Sequence, residues 1–189
     1  NVFRGYDKTA IRTELNLPLD KPILLFVSQS VENRRKGFDL LHDALKKLHR
    51  NCVLLVVGEA TAELKSRDNC QIVGTINDEQ RMAMLYAAAD AFILPSREDN
   101  LPNTMVESLC CGTPVISFSN GGMRDHIRTF ENGVLVEQMN SYSLLEGIHL
   151  FLDNIQEFDR DGIADRAHAM FSPELQAKRY MNFFSSIKG

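Results

Sequence analysis

Two stretches of the chain gather residue types suited to an anionic ligand rich in hydroxyl groups. The first runs Ser96-Arg97-Glu98-Asp99-Asn100-Leu101-Pro102-Asn103-Thr104-Met105-Val106-Glu107. Pro102 fits a first helical turn, because its φ is preset and it has no amide hydrogen to leave unpaired. Free N–H groups at such a helix start, together with the positive end of the helix dipole, suit a phosphate. Asp99 falls in the loop before this helix and Glu107 in its second turn, on the same face as Asn103. A carboxylate so placed can accept hydrogen bonds from two neighbouring hydroxyls of a sugar or ribose. A plainer alternative is an acidic cluster that caps the helix and pairs with Arg97. The second stretch is Arg34-Arg35-Lys36-Gly37, three cations before a helix start. Arg would meet a diphosphate with its planar fork and Lys as a point charge. Here the plainer alternative is a solvated loop of ordinary surface charge.

Neither stretch is a known phosphate loop by pattern. GxxxxGK[ST] and GxGxxG are both absent. Gly74-Thr75 closes a strand, where backbone groups could meet a base, and Gly121-Gly122 reads as a turn into a short helix. His42 and His49 fall on a charged helix face and are expected in solvent. The histidines and cysteines form no pattern of the Ser/His/Asp or Cys/His kind.

These residues must be held by an alternation of strands and helices. Strands are predicted at Ile23–Ser28, Cys52–Gly58, Gln71–Gly74, Ala91–Leu94, Pro114–Ser117 and Gly133–Val136. Their nearly unbroken Val/Ile/Leu character suits strands covered on both faces. Helices are predicted over Asp7–Leu15, Gly37–His49, Pro102–Cys111 (stopping at Gly112), Ser141–Asn154 and Pro173–Ile187. Another starts at Asn77 as N-cap, with Gln80 as its capping-box partner, and buries Met82, Leu85 and Tyr86. The first long helix puts Phe38, Leu41, Leu45 and Leu48 on one stripe. Such a pattern implies right-handed crossovers and a Rossmann-like, doubly wound parallel α/β sheet of about six strands with helices on both faces. Residues 1–189 read as one domain, without repeat or linker. Ligands of such sheets bind beyond the C-terminal strand ends. That places Ser28–Gly37, Gly74–Asn77 and Ser96–Glu107 at the site.

Bulk properties exclude several classes. The chain has 189 residues, 44% of them hydrophobic and 24% charged, with net charge −4. No basic run exceeds Arg34-Arg35-Lys36, so neither a nucleic-acid surface nor a basic membrane stripe is expected. The apolar runs are too short to span a bilayer. Cys52, Cys70, Cys110 and Cys111 lack CxxC spacing and read as small buried hydrophobes in a reduced compartment, with no metal site. The start, Asn1-Val2-Phe3-Arg4, has neither an apolar signal stretch nor an initiator Met, so the chain is expected to begin mid-protein.

At this level of detail the sequence resembles family-four (group 1) retaining glycosyltransferases of the GT-B fold. Lys36-Gly37-Phe38-Asp39-Leu40-Leu41 is similar to the family's KG-hydrophobic helix start. Pro95-Ser96, Asp99 with Glu107, and Gly112-Thr113-Pro114-Val115-Ile116 resemble its PS…(E/D)x7E…GTPVI signature. Gly121-Gly122-Met123-Arg124-Asp125 resembles its GG-x-x-E turn, with Asp for the usual Glu, and Asn132-Gly133-Val134-Leu135-Val136 its NG-hydrophobic strand. Asn1-Val2-Phe3 is similar to the segment that joins the family's two domains.

The resemblance implies a C-terminal, nucleotide-sugar-binding half, with an N-terminal acceptor-binding domain outside this chain. By the same resemblance Lys36 contacts the diphosphate, Asp99 the donor sugar and Glu107 the ribose hydroxyls. Asn100, Leu101, Pro102, Asn103 and Thr104 form the segment whose amides support phosphate or sugar, and Gly74, Thr75 and Ile76 face the base. A UDP- or GDP-linked sugar is the expected donor for a hexosyltransferase-type enzyme that needs no metal and no further cofactor. A sugar, glycan or lipid-linked sugar is the expected acceptor. The expected location is cytoplasmic, or peripheral at the inner membrane face in the full-length enzyme. Two departures stand out. Gln29 falls where the family has an Arg upstream of the Lys, which leaves Arg34 or Arg35 to supply that charge. Glu98 also competes with Asp99 as the first acid. Two other readings remain: a sugar-nucleotide 2-epimerase of the same architecture, and a non-catalytic flavodoxin-like binding module.

Overall fold

A computed structural model describes residues 2–28, 33–172 and 181. The predicted helix Pro173–Ile187 and Gln29 lie outside these residues, apart from Met181, which is helical.

The strands are β1 (Ile23–Ser28), β2 (Val53–Gly58), β3 (Cys70–Gly74), β4 (Ala91–Leu94), β5 (Val115–Phe118) and β6 (Gly133–Val136). All pair in parallel, in the order β3-β2-β1-β4-β5-β6. The Rossmann-like doubly wound sheet read from the sequence is therefore the one observed. β1 and β4 are buried along almost their whole length, as central strands under two helix layers must be. The helices are α1 (Lys8–Glu14), α2 (Phe38–Lys46), α3 (Ala62–Lys65), α4 (Glu79–Ala88), α5 (Asn103–Cys110), α6 (Gly121–His126), α7 (Ser141–Asp153) and α8 (Arg160–Phe171). α2 packs on α7, while α1, α4, α5 and α8 pack in sequence.

The sheet order has a functional consequence. The chain winds outward from β1 to β3, then crosses back to β4 and winds the other way. The loops leaving β1 and β4 therefore diverge and open a crevice at their C-terminal ends, where doubly wound sheets take ligands. An ion cluster fixes α1 beside the central strands. Arg12 Nη2 lies 2.6 Å from Asp90 Oδ2, Lys8 Nζ lies 2.8 Å from Asp90 Oδ1, and the Ile23 amide donates to the same carboxylate at 2.7 Å. Burial raises the Asp90 pKa, but the Lys8 hydrogen bond and the charges of Lys8 and Arg12 outweigh it, so the net shift is downward.

Several local expectations need correction. The N-cap of α4 is Asp78, whose carboxylate accepts from the Arg81 amide at 2.6 Å, not Asn77. Gln80 makes no capping box and instead donates to the Tyr6 hydroxyl at 2.8 Å. α2 ends at Lys46, although Leu48 still packs into the core. α3 and α8 were not predicted. α8 carries alternating small and charged residues, so its apolar signal is weak: only Ile163, Ala164 and Ala167 are buried. His42 is not simply solvated, because it stacks on Phe38 and its Nε2 lies 3.0 Å from Glu63 Oε1. The cysteines are free, with Cys52, Cys110 and Cys111 buried. Burial pushes the Cys110 thiol to about 11 and the Cys111 thiol to about 12, so neither supplies a thiolate near neutral pH. Among the described residues, no helix is long and apolar enough to cross a membrane.

Candidate functional site

The loop after β1 ends in a single 3-10 turn, Arg34–Lys36, capped by the Asn33 side chain on the Arg35 amide at 3.1 Å. Gly37 then takes φ +67, and a Cβ there would collide with the Pro95 carbonyl oxygen. Only glycine satisfies both the left-handed backbone and that close approach. The turn is thereby pressed against the loop after β4, and Lys36 is delivered to the crevice.

The loop after β4 is latched from two sides. The Arg97 guanidinium grips Asp39 with two bonds of 2.7 and 2.6 Å and donates to the Arg34 carbonyl at 2.6 Å. The Arg97 amide also bonds the Arg35 carbonyl at 2.8 Å. The hydrogen bond from Arg97 pulls the Asp39 pKa down and raises that of Arg97. On the other side, Asn120 Nδ2 holds the carbonyls of Ser96 and Arg97 at 3.1 and 2.7 Å. Gly121 and Gly122 press against the carbonyls of Asp99 and Asn100, leaving no room for a Cβ at either position. Arg97 therefore does not pair with Asp99, as the plainer reading of this acidic cluster held. Nor does an acid cap α5. Its N-cap is Pro102, and among the described residues no side-chain cap bonds its first turn. Asp99 instead turns to Lys36, with Nζ and Oδ2 2.9 Å apart. Lys36 is half-buried by this contact rather than freely exposed.

Between these loops and the end of β3 lies a cleft of about 590 Å³. Lys36 and Arg35 form its cationic wall beside Asn33, and Thr75, Ile76 and Asn77 the wall beyond β3. Thr104 and Glu107 reach it from α5, and Tyr86 and Met82 from α4. Asp99 touches the cleft through its partner Lys36. Arg34, Gly74, Asn100, Leu101, Pro102 and Asn103 are not on the cleft wall among the described residues; Arg34 contributes its carbonyl to the Arg97 latch instead. Glu98 is exposed at the loop surface and makes no ion pair among the described residues.

Glu107 is the half-buried carboxylate of the cleft. Burial raises its pKa above the ordinary glutamate value; a hydrogen bond from the Tyr86 hydroxyl, 3.2 Å from Oε2, counters this in part. Tyr86 is fully buried, and burial followed by the nearby Glu107 charge raises its own pKa well up, so it remains a phenol. The sequence offered Tyr86 only as a core aromatic, since its polar end is invisible to helical periodicity. The cleft thus combines a cationic wall, an uncapped helix start, an ionisable acid facing open space and an apolar flank. It can take a ligand with a phosphate group, hydroxyls and a flat or apolar end.

The comparisons with known proteins agree with this architecture. The family described as "Glycosyl transferases group 1" matches residues 7–164. The chain is 33% identical over 143 residues to a D-inositol 3-phosphate glycosyltransferase of Xylanimonas cellulosilytica, covering 69% of this chain and 34% of that protein. The sucrose-phosphate synthase of Thermosynechococcus elongatus superposes with a TM-score of 0.81 at 27% identity, over 98% of this chain and 50% of that one. Alr3699/HepE of Anabaena, solved in complex with UDP-glucose, gives a TM-score of 0.79 at 20% identity over 98% of this chain and 55% of that one, a likeness of fold. The chain spans between a third and just over half the length of these three proteins. With the family's pattern running through the sheet, both latched loops and α5, the chain belongs to the group 1 glycosyl transferases, and its sheet is one half of a GT-B fold.

Proposed function

We propose that this chain holds the nucleotide-sugar donor of a retaining glycosyltransferase, and that a further domain of the full-length enzyme supplies the acceptor. The observation that carries the reading is the meeting of Lys36, Thr75, Ile76, Thr104 and Glu107 on one cleft at the switch point of the sheet. In this reading the diphosphate lies between Lys36, Arg35 and the N-terminus of α5, and its charge is met there rather than by a metal ion. Glu107 accepts from the ribose hydroxyls, and the base lies toward Thr75 and Ile76. Asp99 stands beside the donor sugar, so that carboxylate, ammonium and diphosphate alternate in charge through Lys36. Support comes from the group 1 family and from the UDP-glucose bound by Alr3699/HepE, whose fold this chain shares. A UDP- or GDP-linked sugar is the donor we infer, with transfer to an acceptor hydroxyl in the cytoplasm or at the inner membrane face.

Calorimetry of the chain with UDP, GDP and ADP tests this. Saturable binding of one of them at a single site supports donor binding. Absence of binding by all three, with the chain folded, overturns it.

A further inference from the structure

The cleft contains a buried polar group that the donor-binding reading leaves without a role. Tyr86 is 0% exposed, yet its hydroxyl reaches the wall of the cleft and donates to Glu107 Oε2 at 3.2 Å. Its position is fixed from several directions. The Phe92 ring meets it edge-on at 5.5 Å and the Phe3 ring at 6.3 Å. The Tyr86 carbonyl accepts from Thr113 Oγ1 at 2.6 Å, and Thr113 Oγ1 in turn accepts from Arg160 at 2.9 Å. The hydroxyl is therefore a donor on a post that cannot swing, whereas Glu107 sits on a flexible three-torsion side chain in the second turn of α5. A phenylalanine would fill the same core volume. The oxygen adds nothing to packing and would be costly to bury without a partner.

We propose that Tyr86 is a positioning residue for Glu107: its hydroxyl pins one carboxylate oxygen so that the remaining lone pairs face the cleft and receive the two ribose hydroxyls. The inference rests on the proposed ribose role of Glu107. One oxygen bonded to a rigid phenol leaves the carboxylate plane with little freedom, so the entropy of ordering it is lost on folding and not again on binding. A positively charged anchor would compete with the ribose for the carboxylate. A neutral phenol holds it while leaving its charge available.

The test pairs Tyr86→Phe with Glu107→Gln and compares UDP, GDP and ADP with their 2′-deoxy analogues by calorimetry. Wild type should prefer the ribonucleotide. Tyr86→Phe should cut ribonucleotide affinity roughly fivefold, the scale of one net hydrogen bond, and leave the deoxynucleotide nearly unchanged. Such loss of selectivity is not expected from a change in core packing alone, which would weaken both ligands alike. Tyr86→Phe added to Glu107→Gln should produce little further loss. If Glu107→Gln narrows the preference and Tyr86→Phe does not, the positioning role fails while the ribose role of Glu107 stands. Should neither variant alter it, or should wild type bind no nucleotide, both fall together. A carboxyl carbon NMR titration of Glu107 gives a second readout without ligand. Losing the phenol should move its titration upward, while the charge of Glu79, which also raises it, stays in place. An unmoved titration contradicts the hydrogen bond.

Discussion

Lys36 and Asp99 lie 63 residues apart in the chain, yet Nζ and Oδ2 meet at 2.9 Å and tie the loop leaving β1 to the loop leaving β4. Those loops diverge because the sheet reverses its winding between β1 and β4, so the pair marks the switch point itself. The Arg97–Asp39 grip joins the same two segments from outside, and Asn120 holds the loop after β4 from the other side. Residues 34–39 and 97–99 are thereby joined into one unit.

Lys36→Ala should weaken nucleoside diphosphate binding by about 1.5–3 kcal/mol, the range of a charge-assisted hydrogen bond, while nucleoside binding changes little. The lost ion pair with Asp99 is partly exposed and should cost stability less than about 1 kcal/mol. Calorimetry with diphosphate and nucleoside, beside thermal melts, checks both. Arg35→Ala and Arg34→Ala belong in the same series. The first lines the cleft and should weaken the diphosphate, whereas the second does not. Equal loss of nucleoside and diphosphate by Lys36→Ala would contradict the phosphate role.

Gly37→Ala should destabilise the chain by about 2 kcal/mol or more, through a left-handed backbone and a collision with the Pro95 carbonyl. Nucleotide affinity should fall with it, because Lys36 is delivered by that turn. Urea melts and calorimetry on one preparation would show this. Native stability in the variant would contradict the close approach.

Glu107→Gln should separate stability from binding. Its folded pKa is raised by burial, so ionised Glu107 opposes folding. A raised carboxylate contributes stability below its unfolded pKa and loses that contribution as pH rises through its folded pKa. At pH 7 the amide variant should therefore melt at the same temperature or higher, while nucleotide affinity falls. Affinity in wild type should also fall as pH drops through the raised Glu107 value. A variant that melts earlier yet binds normally would contradict the ribose role.

Asp90→Asn should cost about 3–5 kcal/mol at pH 7, because it leaves Arg12 buried without its counter-ion. The Asp90 pKa is lowered on balance, so its contribution is present above the unfolded carboxylate value and is lost as pH falls through the folded one. Acid denaturation followed by circular dichroism should accordingly lose one proton-linked transition in the variant. An unchanged acid profile would contradict the ion cluster's role.

Much of this was legible from the residues. The Val/Ile/Leu runs gave the six strands within a residue or so, because buried parallel strands have no polar face to confuse the pattern. Lys36, Thr75, Ile76, Thr104 and Glu107, singled out in the sequence near the C-terminal strand ends and on the helix that follows β4, line one cleft in the structure. What escaped depended on contacts distant in sequence. Arg97 could not be assigned to Asp39 rather than Asp99, since both acids are plausible partners until the loops are folded. Asn120 and the Gly121-Gly122 pair act by backbone contact with residues 96–101, which no local pattern encodes. Tyr86 read as core, because periodicity reports a ring and not its hydroxyl. α8 was missed because its buried face is mostly alanine.

The transfer reaction itself needs both halves of the cleft in the proposed arrangement. The purified chain should accordingly turn over no nucleotide sugar with any acceptor, and sugar transfer by this chain alone would contradict the division of roles.

One nucleoside diphosphate should occupy the switch-point cleft. Amide chemical-shift mapping of the labelled chain during titration with UDP, GDP and ADP tests it most directly. Saturable shifts are expected for one nucleotide, centred on Lys36, Gly37, Thr75, Ile76, Asn103, Thr104 and Glu107 and moved to higher nucleotide concentration by Lys36→Ala. Saturable shifts centred elsewhere on the fold, or no shifts from any of the three, would contradict it.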